Sequence, residues 1–278
     1  IFLPKFGPAE VVEQLPDATV MMGVPTQYTR LIADDRFTAN VCTSVRLFTS
    51  GSAPMTEAVH ADFTARTGLQ ILERYGMTEA GMITSNPYDG ERVPGTVGFP
   101  LPGVELRVSD DDGAPVLTGV TGVVEIRSPG LFAGYWQMPE KTSAEHRDGG
   151  WFITGDVGSV DAAGRLTLEG RSSDMIISGG YNVYPKEIEM VLDEVPGVLE
   201  TGVIGVPHPD FGEAVVAIVV RDGSAEVTEE QLAAALDGVL ARFKHPKQYI
   251  DASELPRNAM SKVQKATLRT EHRALFAD

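Results

Sequence analysis

An α/β layer at residues 1–95, a β-barrel subdomain at 96–170 and a smaller α+β domain at 171–278 form the fold class that the sequence predicts. In the first segment, short apolar runs alternate with helix-like runs, which is typical of a layered fold with parallel strands. From about residue 96, brief β runs are separated by Gly-containing turns such as Asp111-Asp112-Gly113. After Arg171, the order helix, two strands, helix indicates a separate domain.

Each element follows from a local pattern of apolar spacing and end signals. Pro8 and Pro25 stand where a helix accepts proline, in its first turn, and apolar residues at helical spacing follow each of them. Thr228, followed by two glutamates, predicts an N-cap with an acidic first turn. The predicted helices are 8–15, 25–33, 56–67, 185–192 and 228–240, and the predicted strands are 18–24, 45–49, 69–72, 104–108, 123–126, 166–169, 198–206 and 214–221.

The composition describes an ordinary globular chain and excludes several functional classes. The 278 residues are 42% hydrophobic and 22% charged, which excludes a disordered or collagen-like chain. A formal net charge of −16 disfavours broad binding to nucleic acid or anionic membranes, so neither partner is expected. The sequence contains no run of 18 or more apolar residues, so it predicts no membrane span. Cys42 is the single cysteine, so no internal disulfide forms, and we expect a cytoplasmic location.

The charge is uneven along the chain. Residues 241–273 contain eight Lys or Arg against three acidic residues, a local excess of five positive charges in an acidic protein. A solvated helix and loop surface explains such an excess. A site for phosphate-bearing ligands explains it equally well.

Two motifs suggest phosphate and sugar chemistry. Thr78 and Glu79 follow a predicted strand at the sheet edge where α/β folds bind ligands, and they pair a hydroxyl donor for phosphate with a hard oxygen ligand for Mg²⁺. The alternative is the start of a helix. Asp156 follows a Gly turn, where a carboxylate can accept two hydrogen bonds from a ribose diol. The alternative is a turn Asp that binds its own backbone.

Nine ordered stretches resemble one family. They are SGSAP (50–54), ERYGMTE (73–79), GTVGFPLPG (95–103), GYW (134–136), WFITGDVG (151–158), GRSSDMIISGGYNVYPKEIE (170–189), VIGVPHPDFGE (203–213), FKHPK (243–247) and LPRNAMSKVQK (255–265). Together they resemble the adenylate-forming acyl-CoA synthetase superfamily. That family holds the ATP phosphates on an upstream loop ending in Pro-Lys, which this chain lacks. We therefore expect the C-terminal portion of such an enzyme, with its N-terminal part missing and with little activity as an isolated fragment.

The resemblance implies a two-step reaction that uses ATP, Mg²⁺ and CoA. A carboxylate attacks the α-phosphate of ATP to give acyl-AMP and pyrophosphate, and CoA then displaces AMP. Lys262 matches the family's adenylation lysine, Thr78 would hold phosphate oxygen and Glu79 would hold Mg²⁺. The implied ATP- and AMP-binding residues are Gly51, Ser52, Ala53, Pro54, Glu73, Arg74, Tyr75, Gly76, Met77, Thr78, Asp156 and Arg171.

The second step implies a different pose of the C-terminal domain, turned about a hinge at Ser173. The positions implied to contact CoA are Gly179, Gly180, Phe211, Phe243, His245 and Lys247, and they give the basic segment a task. Three positions depart from the family pattern: Ser173 replaces Asp or Lys, His245 replaces a common Arg, and Ser261 replaces the Gly that precedes the lysine. A Ser at 261 restricts the dihedrals of that loop.

The segment 22–30, the Arg of ERYGMTE and the segment 85–103 are similar to malonyl-CoA synthetases. A dicarboxylic acid needs a cation for its second carboxylate, and Arg30 and Arg74 are the candidates, with Arg30 expected to touch it. The alternative for these residues is a surface Arg at 30 and a structural ion pair at 74. The alternatives are a ligase for another short or aromatic acid, an adenylation domain for a carrier protein, or an inactive truncated fragment. The resemblance also implies control of Lys262 by a lysine acetyltransferase and deacetylase.

Overall fold

Residues 1–258 and 262–277 are described by a computed structural model. Their backbone divides into two units, Ile1–Leu168 and Glu169–Asp278, so the chain passes from one to the other within a single strand. The N-terminal unit contains both the α/β segment and the β-rich segment that follows it. No helix among the described residues is long and apolar enough to cross a membrane.

The first sheet of the N-terminal unit has the order β1-β2-β3-β4-β5. Strands β1, β2 and β3 are parallel, as predicted, whereas β4 and β5 are antiparallel additions. Its elements are α1 (Pro8–Gln14), β1 (Val20–Gly23), α2 (Pro25–Ile32), β2 (Leu47–Ser50), α3 (Glu57–Thr67), β3 (Ile71–Met77), β4 (Gly81–Ser85) and β5 (Phe99–Pro100).

Aromatic rings fill the core between the helices and the parallel strands. Phe63 lies at the centre, with its ring centroid 5.0 Å from that of Phe48 and 5.7 Å from those of Tyr28 and Phe37. All four side chains are buried. Cys42 joins this core, and burial raises the pKa of its thiol to about 11. Edge-to-face ring contacts and apolar burial therefore stabilise the layer that carries the strand ends.

The β-rich segment forms a second sheet with the order β10-β9-β7-β6, and β8 pairs with β9. Strand β7 runs antiparallel to both β6 and β9. The register between β7 and β9 is irregular: Val123 pairs with Val157 and Glu125 with Ile153, so an advance of two residues in β7 matches an advance of four residues in β9. This β-bulge in β9 was not expected from the sequence. The elements are β6 (Glu105–Ser109), β7 (Gly122–Arg127), α4 (Pro139–Ala144), β8 (His146–Arg147), β9 (Trp151–Val160) and β10 (Leu166–Arg171).

The C-terminal unit contains the third sheet, with the order β12-β11-β14-β13 and β15 parallel to β14. Thr228 caps a helix as predicted, but that helix ends at Leu236 instead of 240. The helix stops because Asp237, its C-cap residue, is extended with a ψ of 127°, and Gly238 then follows with a left-handed φ of 77°. The elements are β11 (Ile176–Ser178), β12 (Tyr181–Val183), α5 (Pro185–Leu192), β13 (Val198–His208), β14 (Gly212–Arg221), α6 (Glu229–Leu236), β15 (Gln248–Ala252) and α7 (Lys265–His272).

A carboxyl group at the end of α5 makes the stability of the C-terminal unit depend on pH. Burial raises the pKa of Asp193 from 3.8 to about 6, while Lys186 and a hydrogen bond of 2.8 Å from Thr201 oppose that shift. A raised pKa in the folded state contributes stability below about pH 4 that is lost as the pH rises through 6.

We therefore expect Asp193→Asn to increase the free energy of unfolding at pH 7.5 by about 1–2 kcal/mol, and to give no gain at pH 4. The amide oxygen can still accept from Thr201. Urea unfolding at the two pH values measures the difference. The exposed control Asp210→Asn should show no such pH-dependent gain, and a constant effect of Asp193→Asn at both pH values would contradict the argument.

Candidate active site

The carboxyl ends of the parallel strands carry the candidate nucleotide residues of the N-terminal unit. The loop Gly51 to Pro54 directly follows β2, and residues 73–77 lie within β3 itself, where the sequence predicted that they follow a strand. The exposed Thr78 and half-buried Glu79 occupy the turn between β3 and β4. The helix start considered for Thr78 and Glu79 is therefore wrong, because β3 pairs antiparallel with β4 across this turn.

Glu73 is buried and holds three segments together. Its Oε1 lies 2.8 Å from His60 Nε2 and accepts the Gly95 amide at 3.1 Å, and its Oε2 accepts the Met55 amide at 3.2 Å. The side chain is 3% exposed. A carboxylate satisfies three donors because it is an acceptor at both oxygens. Glu73 thus fixes the loop after β2, helix α3 and the segment before β5 in one arrangement, and sequence reasoning missed His60 completely.

Gly51 lies against Arg74. A Cβ built on Gly51 would stand 2.9 Å from Arg74 Nη1, so a larger residue there would displace the guanidinium. The next residue, Ser52, has a φ of 71°, a left-handed conformation that is uncommon for a residue with a Cβ. Such conformations cluster at ligand-binding loops. The structure therefore brings together the start of the 51–54 loop and Arg74, two of the elements predicted to bind ligand.

Asp156 and Tyr75 meet through a hydrogen bond between the two sheets of the N-terminal unit. The Tyr75 hydroxyl donates to Asp156 Oδ2, and both residues are buried. Asp156 lies in the bulge of β9, one residue after Gly155 with its φ of 73°, and not in a turn as the sequence suggested. Bulges re-aim side chains beside active sites. Two motifs far apart in sequence, ERYGMTE and WFITGDVG, are thereby joined.

The Glu79 side chain has a neighbour that the sequence did not predict, the Tyr135 hydroxyl. The Tyr135 hydroxyl lies 3.1 Å from Glu79 Oε1 and 2.7 Å from Glu145 Oε2, and Lys141 Nζ stands 4.1 Å from the centroid of the Tyr135 ring. Burial, helped by the hydrogen bonds to both carboxylates, raises the pKa of the Tyr135 hydroxyl, which stays protonated as a donor. Only the GYW motif hinted at this residue, and it carried no assigned role.

The donor set at Glu79 fits a magnesium ion that arrives with a phosphate ligand. Mg²⁺ is commonly bound by one or two carboxylates together with substrate phosphates and water. Within residues 1–258 and 262–277, no group of three or more His, Cys, Asp or Glu side chains is placed to hold a metal ion. A single carboxylate beside a hydroxyl residue is therefore consistent with shared coordination rather than with a dedicated metal cage.

The two arginines proposed for a second carboxylate occupy different elements. Arg30 lies in the last turn of α2 and is exposed, whereas Arg74 lies in β3 and is half-buried. Arg74 Nη1 also lies 3.5 Å from Met82 Sδ. Tyr28, two residues before Arg30, anchors α2 because its hydroxyl donates to the Thr49 carbonyl at 2.7 Å. Both arginines remain predicted contacts.

In the C-terminal unit, the residues predicted for CoA form an aromatic and cationic cluster. The Gly179 amide donates to the Phe211 carbonyl at 2.9 Å, and Lys247 Nζ lies 5.0 Å from the centroid of the Phe211 ring. Phe243 stacks on Tyr181, with ring centroids 4.5 Å apart and an interplanar angle of 23°. Tyr181, which is 58% exposed, was not predicted, although it directly follows the paired glycines.

The remaining predicted residues lie on loops or element ends of the C-terminal unit. Arg171 ends β10, and Ser173 lies in an exposed 3-10 turn, Ser172–Asp174. His245 Nε2 lies 3.1 Å from the Leu240 carbonyl. The exposed Lys262 lies in a segment that pairs antiparallel with residues 257–258, while Ser261, the predicted departure from the family pattern, lies outside the described residues.

Two family models match the sequence: AMP-binding enzyme over residues 2–136 and AMP-binding enzyme C-terminal domain over residues 187–262. The long-chain-fatty-acid–CoA ligase of Yersinia pestis is 38% identical, with 91% of this chain and 45% of that protein covered. The malonate–CoA ligase of Arabidopsis thaliana is also 38% identical, with 96% and 49% covered.

A crystal structure of ATP-bound MatB from Rhodopseudomonas palustris superimposes with a TM-score of 0.94 at 52% identity, over 99% of this chain and 55% of that one. The predicted fold class is thereby confirmed. The chain spans about half the length of the curated relatives it matches.

Proposed function

Because the chain belongs to the AMP-binding enzyme family, we propose that the protein carrying it is an AMP-forming acid–CoA ligase that activates malonate. The observation that carries the proposal is the arrangement of residues at the carboxyl end of β3 in the N-terminal unit. There the turn with Thr78 and Glu79 continues from the same strand whose Tyr75 binds the buried Asp156. The residues proposed for phosphate and for the metal ion thus follow β3 directly, and Asp156, the residue proposed for the sugar, is hydrogen-bonded to the same strand.

In the first step, the substrate carboxylate attacks the α-phosphorus of ATP, the bond to pyrophosphate breaks and acyl-AMP forms. The Thr78 hydroxyl donates to a phosphate oxygen, and Asp156, oriented by Tyr75, accepts hydrogen bonds from the ribose hydroxyls. Glu79 would help to hold Mg²⁺, which when bound neutralises phosphate charge. Lys262 supplies a positive charge to the attacking carboxylate and the α-phosphate, where negative charge concentrates in the transition state.

In the second step, the thiol of CoA attacks the acyl carbon and AMP leaves. The cluster of Phe211, Phe243 and Tyr181 offers ring faces to the adenine of CoA, and Lys247 offers a cation to its phosphates. We propose a hinge at Ser173 for the change between the two steps, since this exposed turn adjoins the boundary of the two units. We further propose that acylation of the exposed Lys262 silences the first step by removing its charge.

The choice of malonate rests on Arg30 and Arg74. A guanidinium binds a second carboxylate in bidentate geometry, and a site built for that contact rejects acids that leave the arginine unpaired. One relative is named for malonate and another for long-chain fatty acids, so a different carboxylic acid is the alternative within the same reaction.

The test is acid-dependent pyrophosphate release by the natural protein carrying this sequence, with acetate, malonate, methylmalonate, succinate and benzoate, with and without CoA. We expect malonate to be preferred. Arg30→Ala should lower kcat/KM for malonate by at least about tenfold and leave acetate unchanged, because only the second carboxylate loses its partner. Release with a monocarboxylate alone would keep the ligase and overturn the substrate. Absence of release with every acid would overturn the ligase proposal.

A further inference from the structure

The segments 256–258 and 262–264, together called the Lys262 hairpin, are joined by backbone and side-chain hydrogen bonds. The Asn258 amide donates to the Lys262 carbonyl and the Lys262 amide to Asn258 Oδ1, both at 3.0 Å. The Gln264 amide donates to the Pro256 carbonyl at 2.8 Å, and Arg257 pairs with Val263 across the hairpin. These contacts pair residues 256–258 with residues 262–264, and Arg257 also forms an ion pair with Glu200, which ties the first of the two segments to β13.

A buried ion pair fastens the hairpin where it enters α7. Lys265 is the first residue of that helix, and its Nζ lies 2.6 Å from Glu189 Oε1 on α5. The two side chains are 15% and 8% exposed. The same oxygen of Glu189 accepts the Val203 amide at 3.0 Å, which ties the pair to β13 as well. The pair thus links the end of the hairpin to both α5 and β13.

The position of Lys265 is unfavourable by local rules. A lysine in the first turn of a helix faces the positive end of the helix dipole, and this first turn contains no acidic residue. Burying an ammonium group adds a desolvation cost. Its ion pair with Glu189 offsets both costs. The exposed Lys262 lies three residues before it in the sequence.

We infer that Lys265, through its buried ion pair with Glu189, is a positioning residue that holds the Lys262 hairpin (residues 256–258 and 262–264) and thereby the Lys262 ammonium for acyl-adenylate formation. The inference rests on the proposed function and names a residue that never touches substrate. Displacement of a reacting group by about 1 Å costs about 10²-fold in rate, so loosening one end of this short hairpin is sufficient for a large effect.

Lys186 supplies a matched control. Its Nζ lies 3.8 Å from Glu189 Oε2, so it faces the same buried carboxylate. It belongs to α5, however, which is not adjacent in sequence to the hairpin. Lys186→Met and Lys265→Met each remove one cation from Glu189, but only the second removes a contact next to the segment 262–264, and Arg257 keeps its ion pair with Glu200 in both variants.

The experiment measures the two half-reactions separately in the natural protein carrying this sequence. Acid-dependent pyrophosphate release reports the first step, and thioester formation from supplied acyl-adenylate and CoA reports the second. Lys265→Met is expected to lower kcat of the first step by about 10²-fold and to leave the second unchanged. Lys265→Arg should restore much of the loss, and Lys186→Met should leave both steps unchanged. Equal loss of both steps in Lys265→Met, or an equal loss in Lys186→Met, would overturn the inference.

Two further measurements keep the result decisive. Where Lys265→Met folds poorly, the double variant Glu189→Gln/Lys265→Met removes the uncompensated buried carboxylate and should show the same loss of the first step. Amide hydrogen exchange at Asn258 and Lys262 requires no activity and should accelerate in Lys265→Met but not in Lys186→Met. A wild-type protein inactive towards every acid would overturn the proposed function, while unchanged exchange in Lys265→Met would overturn this inference.

Discussion

Lys262→Gln is expected to lower acid-dependent pyrophosphate release by about 10²–10³-fold, because the proposed first step loses the cation that we assign to the developing negative charge. Thioester formation from supplied acyl-adenylate should persist, since that step needs no adenylation lysine. Gln also mimics the neutral state of an acylated lysine, so the same variant reports the effect of modification. The measurement is a steady-state comparison of both half-reactions in variant and wild type.

Lys247→Gln is the matched comparison for that substitution. Lys247 lies beside Phe211 in the cluster proposed for CoA, so its neutralisation should raise the KM for CoA and spare pyrophosphate release. Wild-type release by Lys262→Gln would remove both the catalytic and the regulatory role of Lys262. Equal loss of both half-reactions would show damage to the C-terminal unit instead of a lost charge.

Glu73→Leu is expected to lower the free energy of unfolding by at least about 3 kcal/mol, because His60 Nε2 and the amides of Met55 and Gly95 lose their buried acceptor. The apolar Leu side chain offers no acceptor in place of the carboxylate. Urea unfolding measures the loss. Because the contact with the Met55 amide also positions the loop after β2, we expect weaker ATP binding in any Glu73→Leu protein that still folds.

Glu91→Leu is the surface control for Glu73→Leu. The Glu91 side chain is 75% exposed and pairs with Arg165, and exposed ion pairs contribute about 0–1 kcal/mol. It should therefore unfold close to wild type. A loss in Glu73→Leu no larger than that in Glu91→Leu would show that the three buried donors find other acceptors, and that Glu73 does not hold the loops.

Much of the fold was predictable because its elements have strong local patterns. The helix Pro185–Leu192 has the predicted bounds, and the parallel strands β1 to β3 lie where apolar runs indicated them. Strand β3 extends beyond its predicted end at residue 72 because Glu73 finds buried partners and Arg74 pairs with Ser85 of β4. Such pairing partners are distant in sequence, and a local reading of apolar residues does not contain them.

The candidate site was predictable as a set of motifs but not as a geometry. Thr78 and Glu79 were identified from their residue types, whereas their turn conformation depends on the antiparallel partner β4. Tyr135 reaches Glu79 from a segment more than fifty residues away, and the same hydroxyl contacts Glu145. Lys265 looked like one more surface cation of a basic segment. Only the fold shows that its charge is buried on Glu189.

The buried Cys42 gives the N-terminal unit an internal reporter of its own opening. Alkylating reagents attack the thiolate, and this thiol is 2% exposed with a pKa of about 11, so the closed form presents neither access nor thiolate. Covalent labelling therefore proceeds through rare open forms of the aromatic core. Since the chain has a single cysteine, the labelling rate measured by mass spectrometry counts those forms without any engineered probe. ATP bound at the proposed site, at the carboxyl ends of β2 and β3, should slow that rate.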